Sequence, residues 1–163
     1  MILCVTRGTE RASHTMHFFL KKVSRMRFGW NKRPLDEADF ERLCRRFRIT
    51  VQEMPLRTNG FYYCVKGRHF IAIDSRLPRI RKLLVMFHEF AHFMMHVPDE
   101  GVTANFHGIG LRTKKEAEAD AFAICALIPR TLLETRTPVE LIEEGFTREI
   151  LEERINVFEN YGF

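Results

Sequence analysis

The chain contains no run of about 18 apolar residues, the least that a membrane-spanning helix needs, so no transmembrane segment is expected. The cluster Met16–Leu20 is shorter than the roughly 7–15 residues of a secretory core segment. A CxxC pair is missing as well: Cys4, Cys44, Cys64 and Cys125 are scattered. Widely spaced thiols of this kind suit reduced core residues better than disulfides or metal ligands. These absences point to the cytoplasm. No internal repeat is present, and 163 residues with 45% hydrophobic and 29% charged content fit one globular domain with a real core.

Acid is scarce in one place. Residues 1–33 hold eight Lys and Arg against Glu10 alone, a net +7, whereas the remainder carries 18 Lys and Arg and 20 Asp and Glu, a net −2. The first 33 residues therefore read as a basic extension, a solvated tail or a nucleic-acid or acidic-partner contact. Residues 34–163 read as the folded domain.

Within that domain, Ala38, Phe40, Leu43, Cys44 and Phe47 recur at helical spacing behind the candidate cap Asp36. Ile49–Met54 alternates like a strand. Asn59-Gly60 reads as a turn pair, then come Phe61–Val65, the turn Lys66-Gly67 and Phe70–Ile73. The expectation is a small antiparallel sheet of three strands in an α+β domain. From Arg79 to about Val97 the chain reads as one helix, apolar almost all round and so buried on every side. A further helix is expected from about Thr113 to Ile128, stopped by Pro129. Residues 137–163 read as a C-terminal helical part, broken around Gly145-Phe146-Thr147.

The polar residues inside the apolar helix carry the chemistry. His88-Glu89-Phe90-Ala91-His92 is H-E-x-x-H. Positions i and i+4 share a helix face, so both imidazoles can reach one metal with Glu89 beside them. Burying two imidazoles and a carboxylate without partners costs several kcal/mol, and a metal supplies partners. Zn²⁺ is the default for such donors, and Mn²⁺ or Fe²⁺ can also occupy them. Metal coordination brings the pKa of a water toward about 7, where a nearby carboxylate, here Glu89, can take its proton.

A third ligand is expected from Glu116-Ala117-Glu118-Ala119-Asp120. Glu116 and Asp120 share a helix face, and Glu118 points about 160° away from Asp120. The economical assignment makes Glu116 the ligand and Asp120 a hydrogen-bond partner of a ligand histidine, with Glu118 the alternative ligand or a supporting carboxylate. His96 lies about 12 Å along the helix axis from His88, too far to share its metal. His107 is a candidate stabiliser of transition-state charge, as are Tyr62 and Tyr63; His69 reads as structural.

HEFAHFMMH at 88–96, EAEADAFA at 116–123 and Leu127-Ile128-Pro129 together resemble the ImmA/IrrE family of metallopeptidases. The resemblance spans roughly residues 36–160. It implies a compact zincin-like domain with a three-stranded sheet beside the active-site helix, and a gluzincin-like His-His-Glu zinc hydrolase. It also implies a substrate: a helix-turn-helix transcriptional repressor, whose cleavage would release stress or mobile-element genes. By position, His88 and His92 match the family's histidine ligands, Glu89 its catalytic acid/base, and the Glu116 helix its third ligand. The basic extension is not part of that pattern, and with the sequence ending at Phe163 no appended sensor domain of the kind some members carry is expected. Two other readings stay open. One is a non-proteolytic regulator that binds a repressor or DNA around a structural metal; the other is a peptidase with a non-repressor substrate.

Overall fold

The structure is a computed structural model that describes residue 23, residues 27–95 and residues 113–163. Asp36 starts α1 (Glu37–Phe47) through a reciprocal capping box. Its carboxylate accepts from the Asp39 amide, and the Asp39 carboxylate accepts from the Asp36 amide. Arg48, left-handed at φ 56°, ends α1 and turns the chain into β1 (Ile49–Met54).

β2 (Gly60–Val65) and β3 (Arg68–Asp74) form a hairpin closed by Lys66 and Gly67, both at positive φ. Two such residues in a two-residue loop match the twist of the flanking strands. The sheet order is β1-β3-β2, and β1 runs parallel to β3. The sheet is therefore mixed, not antiparallel as the strand pattern suggested. Local alternation fixes which residues face the core, but not which neighbour a strand takes. Here residues 55–59 carry the chain across β3 to the far edge, pinned by Asp74, whose carboxylate accepts from the amides of Leu56 and Arg76 and from the Arg76 side chain. That crossing puts β3 in the middle, with Ile71, Ala72 and Ile73 fully buried.

At Gly60 the sheet and the helix that follows it leave no room for a side chain. A Cβ there would lie 2.6 Å from Val85 Cγ1 and 2.8 Å from the Ala72 carbonyl oxygen. Its role is contact distance, since its φ is not positive, and the Asn59-Gly60 turn reading gives way to that.

The long helix is α2 (Arg79–Met95), and α3 (Lys114–Leu127) packs along it, capped at Thr113. Leu83, Met86, Phe87, Phe90 and Ala91 of α2 are buried with Ala119, Phe122 and Ala123 of α3. The alanines keep the two axes close. Leu84, Val85 and His88 are only half-buried, so α2 is not enclosed on every side: that face opens onto a cleft. Past Pro129 come α4 (Arg130–Thr135), which the sequence pattern did not announce, then α5 (Pro138–Glu143) and α6 (Arg148–Tyr161). Among the described residues this makes six helices beside one three-stranded sheet.

The end of the basic segment is part of the packing. Trp30 is buried, stacks on Phe122 at 5.7 Å and donates from its indole to the Phe122 carbonyl at 2.9 Å. Asn31 accepts from the Arg130 amide and from the guanidinium of Arg154. Arg154 is itself fully buried and also donates to the carbonyls of Ile128 and Phe163. Arg33 grips the buried Asp39 through two hydrogen bonds of 2.6 Å, and Arg42 adds another.

Two stability measurements follow. Trp30→Ala removes the stacking and the indole bond and should cost about 3–5 kcal/mol in urea unfolding, whereas Lys32→Ala should stay within about 0.5 kcal/mol. The Arg33 guanidinium holds the Asp39 carboxyl at about 2, below its ordinary 3.8, against the opposing effect of burial. A carboxyl lowered by folding stabilises the fold above its unfolded value, and that contribution disappears as pH falls through the folded value. Wild type should be the more stable at neutral pH, and its unfolding curve should converge on that of Asp39→Asn between pH 4 and 2.

Candidate metal centre

α2 and α3 together place two imidazoles and a carboxylate at one point. One turn of α2 separates His88 from His92, and their Nε2 atoms lie 2.9 Å apart. Glu116, in the first turn of α3, reaches both: Oε2 is 3.2 Å from His88 Nε2 and Oε1 is 3.2 Å from His92 Nε2. All three donor atoms lie within 4.8 Å of one another. The set fits a divalent metal by its chemistry, two imidazole nitrogens and one carboxylate, with spacings close to the edges of a tetrahedron whose arms are about 2.0–2.1 Å.

Asp120, one turn along α3 from Glu116, accepts at 2.8 Å from His88 Nδ1. This contact fixes the His88 ring and directs Nε2 at the shared point. Burial alone would push the His88 imidazole down, but the hydrogen bonds to Asp120 and Glu116 prevail and raise it to about 10. A metal at this position would take the place of that proton. Glu118 goes elsewhere. Its buried carboxylate lies 3.8 Å from Lys114 Nζ and is not one of the three gathered donors. The half-turn that separates it from its two neighbours carries it off the cleft face.

Glu89 is buried beside the donors, and the backbone N–H of Tyr62 donates to its carboxylate. Burial raises its carboxyl to about 7 against the pull of the adjacent His88. A carboxylate held in this way is poised to accept a proton near neutral pH. The Tyr62 contact was invisible in the sequence, because a main-chain amide has no side-chain signature.

Glu89, His88, His92, Glu116 and Asp120 line a cleft of about 940 Å³. Gly60 and Phe61 of β2 form one side, while Ile80, Leu84 and Val85 of α2 supply apolar floor. The opposite wall comes from Thr147 and Ile150 of the α6 start. That wall was also missed, since it joins the site only through the tertiary fold. Neither tyrosine proposed for charge stabilisation lines the cleft: Tyr62 Oη pairs with His69 Nδ1 at 2.9 Å, and Tyr63 Oη donates to Gln52. His96 and His107 lie outside the described residues.

A small α+β domain with an imidazole, imidazole and carboxylate donor set beside a buried carboxylate suggests a metallopeptidase. The model of the IrrE N-terminal-like domain family, Peptidase_M78, matches residues 44–156, and the chain belongs to that family. No curated protein and no solved structure matches it.

Asp120 gives the centre its test. Asp120→Ala should lower affinity for Zn²⁺ by about 10–100-fold in competition with a chromogenic chelator, because the His88 ring loses its anchor.

Proposed function

We propose that the protein is a zinc-dependent endopeptidase that acts in the cytoplasm on a protein substrate, a helix-turn-helix transcriptional repressor, and thereby releases stress or mobile-element genes. The observation that carries the catalytic part is the convergence of His88, His92 and Glu116 within 4.8 Å, with Glu89 buried alongside. His88, His92 and Glu116 would hold the ion. When bound, a divalent ion acidifies a water and polarises the scissile carbonyl. Glu89 takes the proton of the attacking water and returns it to the leaving amine, a role that its raised carboxyl and its position in the cleft both serve. Asp120 keeps His88 oriented through both steps.

The substrate class rests on the shape of the cleft and on the family. β2 is an edge strand that pairs only with β3 among the described strands, and its residues Gly60 and Phe61 face the cleft. An extended peptide can add to such an edge through backbone hydrogen bonds. The apolar stretch of Ile80, Leu84, Val85, Ile124 and Ile150 would receive an aliphatic side chain next to the scissile bond. Both features favour a flexible or locally unfolded segment of a protein over a compact folded surface.

Purified protein with Zn²⁺ and a co-encoded helix-turn-helix protein makes the test. Glu89→Gln should keep its metal, measured by elemental analysis, while cleavage falls by about 10²–10⁴-fold. His92→Ala should lose both. Cleavage retained by Glu89→Gln removes Glu89 from the mechanism. Stoichiometric binding of the repressor without cleavage favours a sequestering regulator over a peptidase.

A further inference from the structure

A second groove, of about 510 Å³, shares no lining residue with the metal cleft. Arg27, Phe28, Gly29 and Arg33 form one wall, and Asp39, Arg42, Leu43 and Arg46 of α1 form the other. Four guanidiniums thus surround one carboxylate, a local net charge of +3. Asp39 is saturated: it accepts from Arg33 twice, from Arg42 and from the Asp36 amide. Arg33 and Arg42 are still half-exposed or more, so their outer edges face solvent. Arg27 and Arg46 have no ion pair among the described residues. Like charges held this close repel one another, and an anion in the groove would relieve that repulsion.

We propose that this groove binds the sugar-phosphate backbone of duplex DNA. Guanidinium forks match phosphate oxygens. In the sequence, residues 1–26 add five more cations against one acid. A row of cations suits a polyanion with closely spaced charges better than a peptide with an occasional acidic residue. The remaining lining decides between kinds of nucleic acid. Phe28 is the lone aromatic in the lining and is partly buried against the core, so the groove offers no row of rings on which successive unstacked bases could stack, which argues against a single strand. No uncharged polar side chain lines the groove, and Arg33 and Arg42 are already tied to Asp39, so the remaining guanidinium edges suit phosphate contact better than the fixed bidentate geometry of base readout. The contact would be independent of sequence. All of the lining except Arg46 lies outside the family match at 44–156, so the family match does not account for the groove. It does not depend on the peptidase reading, and it would hold the enzyme near any substrate that sits on DNA.

The test is fluorescence anisotropy of the full chain with a labelled mixed-sequence DNA duplex, titrated at several salt concentrations. Binding should fall in the range of about 10⁻⁴–10⁻⁶ M near physiological salt and weaken steeply as salt rises. Arg27→Ala and Arg46→Ala should each make the slope of log K against log salt shallower by about one, and the double variant by about two. Arg57→Ala, an exposed arginine outside the groove, should leave it unchanged. The single variants carry the result even if the double variant melts early. An undiminished slope in both single variants, no binding at low salt, or tighter binding of duplex RNA or polyglutamate than of DNA would each overturn the proposal.

Discussion

Two imidazoles and three carboxylates sit at the junction of α2 and α3 at the side of a cleft, His92 and Glu89 buried and the others half-buried, and each must find its partners within the protein or in a metal. Most of the architecture follows from that demand. α3 must approach α2 closely enough for Glu116 to span both histidines, so its facing residues are alanine at 119 and 123. Asp120 must lie one turn beyond Glu116 to reach the far side of the His88 ring. The sheet is needed too, because Glu89 receives a main-chain N–H from β2, the only strand whose outer edge borders the cleft among those described.

Helix chemistry was readable because it is local. H-E-x-x-H and the Glu116/Asp120 pair each depend on 3.6-residue periodicity, and the geometry of both was set as soon as the helices formed. The cap at Asp36 acts over three residues and is similarly legible, whereas those at Thr113 and Thr147 emerged only with the structure. Apart from the short α4 and the Asn59-Gly60 turn, the failures are long-range. Whether β1 pairs parallel or antiparallel depends on where residues 55–59 cross, and strand alternation says nothing about that. Trp30 sits among basic residues and gives no sign that its partner is Phe122, 92 positions away. The opposite error occurred at α2: apolar residues on the face of Leu84 and Val85 implied enclosure, but they line an open cleft, where apolar surface is kept for a ligand instead of a core.

The two concave surfaces differ in what they oppose to a ligand. The metal cleft gathers imidazoles and carboxylates that are tied to one another, next to an apolar stretch of its lining. The arginine groove carries its charge at the rim, where salt can compete for it, around a carboxylate that is already satisfied. The first arrangement favours orientation and chemistry, the second quick and reversible capture.

Gly60 has a bearing on how such an enzyme can diversify. With the Val85 methyl and the Ala72 carbonyl already at the limit of approach, the β2 side of the cleft is a fixed stop that admits no larger residue without displacing the helix that bears the histidines. The other bank is different: it is the start of α6, reached through Gly145 at φ 103° and half-exposed at Ile150. New peptide preferences can therefore arise by substitution on the α6 bank alone, while the catalytic bank stays in register. A lineage of such enzymes would change its diet from one side only.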